Sequence, residues 1–131
     1  MPVADIEETV RFYVDVLGCS VGRKTDHWVD FNFFGHQVSA HLKPEATGEA
    51  PANTVDGEQV PVRHFGVVLD WQEWQVLSGN LQDEGMEFLI WPAVRFHGQA
   101  GEQATFFIRD PSGNALEFKS FRDPGQLFAT G

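Results

Sequence analysis

The sequence predicts an α+β fold made of two modules, each running strand, helix, strand, strand, strand, with the first module lacking its opening strand. Three observations predict it. Two amphipathic helical stretches of similar length each end on glycine. An aromatic-rich hairpin follows each helix. The two hairpins also end alike, on Ser39-Ala40-His41-Leu42-Lys43 and Ala115-Leu116-Glu117-Phe118-Lys119. Self-similarity at this scale sets the architecture before any single motif does.

The first helix spans residues 5–18, with Ile6, Val10, Tyr13 and Leu17 at helical spacing. Asp5 caps its first turn, Glu8 follows three residues later, and Gly18 stops it. The second spans 70–85. Trp71, Trp74, Leu77 and Leu81 form its stripe, with Asp70 and Glu73 at the start and Gly85 at the stop. Strands are expected at 20–23 and 87–91 behind the helices.

Residues 28–34 and 37–42 read as one hairpin around Gly35 and His36; 104–109 and 114–121 read as the other, around Asp110-Pro111-Ser112-Gly113. A strand at 62–69 opens the second module. His64 lies six residues before Asp70, and six before Asp5 falls upstream of Met1, so either the sequence begins late or the first module is shortened. If that strand is missing, an unpaired sheet edge is expected near 28–34 or its neighbours, and from that a homodimer. The layout is therefore a first module at 1–43, an exposed connector at 44–61 with no share in the core, a second module at 62–121 and a tail at 122–131.

Composition narrows the function classes. The chain has 131 residues, 42% of them apolar, with 12 Phe and 4 Trp, enough for one packed core. A formal charge of −10 disfavours phosphate backbones, so nucleic acid is not an expected partner. No apolar run reaches the roughly 20 residues of a membrane span, and no secretory leader is evident. A cytoplasmic protein is expected. Cys19, the single cysteine, excludes an intrachain disulfide and a multi-thiolate zinc site.

Together the module pattern, the F-Y-V-D-V-L-G helix ending, the R-H-F-G-V-V-L-D strand and the R-D-P-S-G-N-A-L-E-F-K hairpin resemble the vicinal-oxygen-chelate superfamily of glyoxalases, bleomycin-resistance proteins and extradiol dioxygenases. The resemblance covers nearly the whole chain. It implies curved mixed sheets around a cavity, with metal ligands on the opening and closing strands of each module. His64 then matches the opening-strand ligand and Glu117 the closing-strand carboxylate. By strand parity Glu117 shares a face with Ala115 and Lys119, and an ion pair with Lys119 is its plain structural role.

His41 occupies the first-module counterpart of Glu117, where it either ligates the metal or hydrogen-bonds substrate. Gln37 and Ser39 share its face as substrate-binding candidates. Two imidazoles and one carboxylate suit Fe, Mn, Ni or Zn. Arg95 and His97 fall in an expected loop at 92–101, Arg95 as a substrate contact and His97 as an acid or base; a mobile surface segment is the alternative.

Two function classes follow, with a degenerate homologue lacking either as a third. One is a metal-dependent enzyme acting on a small oxygenated molecule, as a dioxygenase or a glyoxalase-type lyase; a histidine at 41 favours the former. The other is a metal-free binding or resistance protein that sequesters a cationic compound in an acidic, aromatic groove.

Overall fold

Asp5 and Asp70 begin their helices as caps, each accepting a hydrogen bond from the backbone N–H three residues on, Glu8 at 2.8 Å and Glu73 at 2.7 Å. In the computed structural model, which describes residues 1–130, the second helix, α2, covers Trp71–Asp83. The first begins as α1 at Ile6–Val10 and continues as a π-helix over Arg11–Val16. The wider turn brings both Phe12 and Tyr13 inside, 9% and 0% exposed. Gly18 and Gly85 end the two helices at φ 78°.

The chain divides into two units: Met1–Pro51 with Arg109–Ala115, and Ala52–Ile108 with the chain from Leu116 onward. The first unit contains a four-stranded sheet. Its strands are β1 (Pro2–Val3), β2 (Ser20–Lys24), β3 (Trp28–Phe33) and β4 (His36–Leu42), in the order β1-β4-β3-β2. The opening strand expected to be missing is present in the two residues of β1, paired parallel to β4 as Pro2 with His41 and Val3 with Leu42. The edge expected near 28–34 or its neighbours falls on the neighbour β2, since β3 itself lies between β4 and β2. The turn between β3 and β4 is Phe34-Gly35, one residue earlier than Gly35-His36. Both residues have positive φ, and Asn32 Oδ1 accepts from the Gly35 N–H at 2.8 Å.

The second unit repeats this order with β7 (Phe65–Leu69), β8 (Ile90–Arg95), β9 (Gln103–Arg109) and β10 (Ala115–Phe121) as β7-β10-β9-β8. Here the opening strand pairs with β10 over five residues. The loop expected at 92–101 is shorter than that, since β8 runs through Pro92 to Arg95. An edge strand accepts proline, and the register shifts between Ile90 and Ala93. The connector also departs from expectation. It contains a short 3-10 turn at Pro44–Ala46 and a hairpin of β5 (Ala52–Val55) and β6 (Glu58–Pro61), turned by Asp56-Gly57 at positive φ. Pro61 is buried, so the segment does contribute to packing.

Each sheet buries one face beneath its helix. In the first unit Tyr13 stacks on Phe31 at 4.9 Å. In the second, Phe106 stacks on Phe118 at 5.1 Å, and Trp74 donates its indole N–H to the Phe118 carbonyl at 2.8 Å. Among the described residues no helix is long and apolar enough to cross a membrane. Cys19 is buried, and burial pushes its thiol up to about 11.

Asp110 organises the first unit. Its Oδ1 accepts from the backbone N–H groups of Ser112 and Asn114, and its Oδ2 from the Tyr13 hydroxyl and the Asn114 amide, all at 2.9 Å. A buried carboxylate is tolerated when its lone pairs are satisfied in this way. Asp110→Ala leaves the buried Tyr13 hydroxyl with only the weak Met1 Sδ acceptor at 3.4 Å and strips two backbone donors of theirs. The expected loss is about 3 kcal/mol, read as a lower urea midpoint at unchanged slope.

Candidate metal and ligand site

Alternation along β10 sets the site. Leu116 and Phe118 are fully buried beneath α2, which turns Glu117 and Lys119 to the opposite face of the sheet. On β9 the same parity places Ala104, Phe106 and Ile108 in the core and leaves Thr105 and Phe107 beside Glu117. β7 then aligns parallel to β10 with Gly66 opposite Glu117. A Cβ at position 66 would fall on the Glu117 carbonyl oxygen, so only glycine permits this approach.

His64 lies immediately before β7 rather than on it, because the strand begins at Phe65 and not at 62. Its ring still reaches the carboxylate. Nδ1 is 2.7 Å from the Pro61 carbonyl, and Nε2 is 3.5 Å from Glu117 Oε1. The edge of the ring meets Phe107 at 5.0 Å between centroids. The other carboxylate oxygen, Oε2, accepts from the Thr105 hydroxyl at 2.8 Å and lies 3.5 Å from Lys119 Nζ.

These contacts assign one proton. A carbonyl oxygen only accepts, so Nδ1 carries a hydrogen, while Nε2 faces Glu117 Oε1 either as the N–H of an imidazolium–carboxylate pair or as a lone pair open to a cation. Either a proton on Nε2 or a cation between the two atoms accounts for the approach. The 3.5 Å separation would let both atoms hold one divalent ion. The donor set fits a divalent ion as one nitrogen and one carboxylate oxygen, each held from behind by a hydrogen bond. Among the described residues no group of three His, Cys, Asp or Glu side chains comes together to hold a metal.

The pair opens into a cavity of about 420 Å³ in the second unit. Its apolar wall includes Val55, Val60, Ile90, Trp91 and Phe107, and the connector hairpin closes one side. That volume suits a small molecule. His64, Glu117 and Lys119 also border a more open hollow of about 360 Å³.

The remaining expected residues are placed as follows. Arg95 lines the cavity from the end of β8, not from a loop, and its guanidinium is ion-paired with Asp56 at the hairpin tip. His97 is on an exposed turn and does not line the cavity. His41 is exposed on β4 of the first unit, and Gln37 lines a separate hollow of about 410 Å³ there with Arg23, Asp30, Asn32 and His36. Ser39 donates its hydroxyl to Asp30 Oδ1 at 2.6 Å. Sequence reasoning did not single out Thr105 or Phe107. The available signal was a lone hydroxyl residue in the apolar run Ala104-Thr105-Phe106-Phe107-Ile108.

Known proteins share the sequence pattern and the fold of this chain. A family profile described as Glyoxalase/Bleomycin resistance protein/Dioxygenase superfamily matches residues 1–118. A crystal structure of a glyoxalase/bleomycin resistance protein/dioxygenase from Alicyclobacillus acidocaldarius is 30% identical, covers 98% of this chain and 92% of its own, and superposes with a TM-score of 0.80. A catechol-2,3-dioxygenase of Bacillus subtilis is 24% identical over 124 residues, 93% of this chain; the chain spans only 40% of that protein's length. A virulence protein of Salmonella typhimurium is 29% identical over 92% of this chain and 80% of its own.

The close approach at Gly66 yields a test. Gly66→Ala forces β7 away from β10 and is expected to cost about 3 kcal/mol or more in urea unfolding. Gly79→Ala, in the interior of α2 with open space around it, is expected to add about 0.5–1 kcal/mol.

Proposed function

The chain belongs to the glyoxalase/bleomycin resistance protein/dioxygenase superfamily, and we propose that it is a metal-dependent enzyme acting on a small oxygenated molecule in the cavity at His64 and Glu117. The 3.5 Å approach of two atoms able to ligate a metal, His64 Nε2 and Glu117 Oε1, carries the proposal. An ion of the Fe, Mn, Ni or Zn type, when bound there, supplies Lewis acidity and open positions for two neighbouring substrate oxygens.

The protein's own residues supply the rest. The Pro61 carbonyl keeps the hydrogen on His64 Nδ1. Thr105 fixes Glu117 Oε2 and leaves Oε1 to hold the ion or to take a proton from substrate. Phe107, Ile90 and Trp91 exclude water from the substrate's apolar body. Likeness to a catechol-2,3-dioxygenase supports the dioxygenase-type reaction over the lyase type.

The homodimer belongs to the same reading. β8 is a sheet edge, and Val94 on it and Phe96 just past its end are 42% and 49% exposed, apolar surface suited to cover by a second copy. Sedimentation velocity at micromolar concentration should give a dimer; a monomer would remove this part.

Calorimetric titration of chelator-treated protein with Mn(II) or Zn(II) tests the central claim. One site per chain is expected, weakened at least tenfold by either His64→Ala or Glu117→Ala. Absence of binding to the unmodified protein would leave the metal-free binding reading, supported by the −10 charge and the aromatic wall.

A further inference from the structure

Lys119 projects from β10 beside Glu117, and its side chain keeps 32% of its exposure. The ammonium is 3.5 Å from Glu117 Oε2, an ion pair too long for a well-formed hydrogen bond. Among the described residues none of its three N–H donors makes a hydrogen bond. The other strong cation of the cavity, Arg95, is committed to Asp56. Lys119 is therefore a positive charge with unspent donors, bordering both the 420 Å³ cavity and the adjoining hollow.

We propose that Lys119 is the specificity-determining residue of this site, recognising an anionic oxygen on a ligand whose flat apolar body rests on Phe107, Ile90 and Trp91. The ligand class is a small aryl or similarly flat molecule bearing one carboxylate, enolate or phenolate group. The inference rests on the metal reading in one respect. Glu117 holds Lys119 by charge alone, so a cation on Oε1 neutralises that hold and leaves the ammonium free for the ligand. Thr105 keeps Oε2 in place throughout, so the carboxylate stays oriented when its charge partner turns away.

The test uses benzoate and benzamide, which share shape and differ in charge, titrated into ¹⁵N-labelled protein with and without Zn(II). With Zn(II), wild-type protein is expected to bind benzoate at least tenfold more tightly than benzamide. Lys119→Met should abolish that preference while Zn(II) affinity stays equal or rises, and Lys119→Arg should restore it. A wild type without preference, or a Lys119→Met variant that keeps it, overturns the proposal. If Zn(II) itself does not bind, the metal reading falls separately. The benzoate preference of the Zn-free protein then decides Lys119 alone: lost in Lys119→Met, it supports the assignment; absent from wild type, it refutes it.

Discussion

The parallel pairing of β7 with β10 is the constraint on which the candidate site depends. It succeeds because Gly66 has no side chain where the Glu117 backbone passes. That contact sets the distance between the two strands, and with it the reach of an imidazole placed two residues earlier. His64 needs no strand geometry of its own; it needs β7 to begin in that register. The same pairing turns Leu116 and Phe118 into the core, so burial of apolar surface fixes where a carboxylate meets an imidazole.

Much of this was legible in the sequence for identifiable reasons. The helix caps at Asp5 and Asp70 and the glycines at 18 and 85 are local chemistry, and local chemistry is read from a few neighbours. Strand parity placed Glu117 opposite Leu116 and Phe118. The misreadings arose where a distant partner decides. Pro92 looks like a loop residue until β8 is known to be an edge strand with shifted register. The π-helical turn at Arg11–Val16 leaves no mark in a 3.6-residue pattern. The β5–β6 hairpin was readable, because Asp56-Gly57 between Thr54-Val55 and Gln59-Val60 is a two-residue turn signal. Charge and small residues on both sides gave it the look of a linker.

Electrostatics explain why so acidic a chain keeps two cations in one cavity. Arg95 closes the rim by holding Asp56, and this secures the hairpin that forms a wall. Lys119 offsets Glu117, which would otherwise face His64 and partial burial without a counter-charge. The two therefore differ in kind: one fastens a structural element, the other balances a ligand atom.

Asp110 has a consequence for how the chain matures. The first unit takes in residues 109–115, and the acceptor for its central Tyr13 hydroxyl arrives 97 positions after the tyrosine. During ribosomal synthesis the amino-terminal sheet and helix must wait for that turn to emerge. Closing so long a loop is slow, and until it closes the apolar faces of Phe31 and Tyr13 lack their final lock. The two halves, alike in pattern, are thus obliged to complete themselves together.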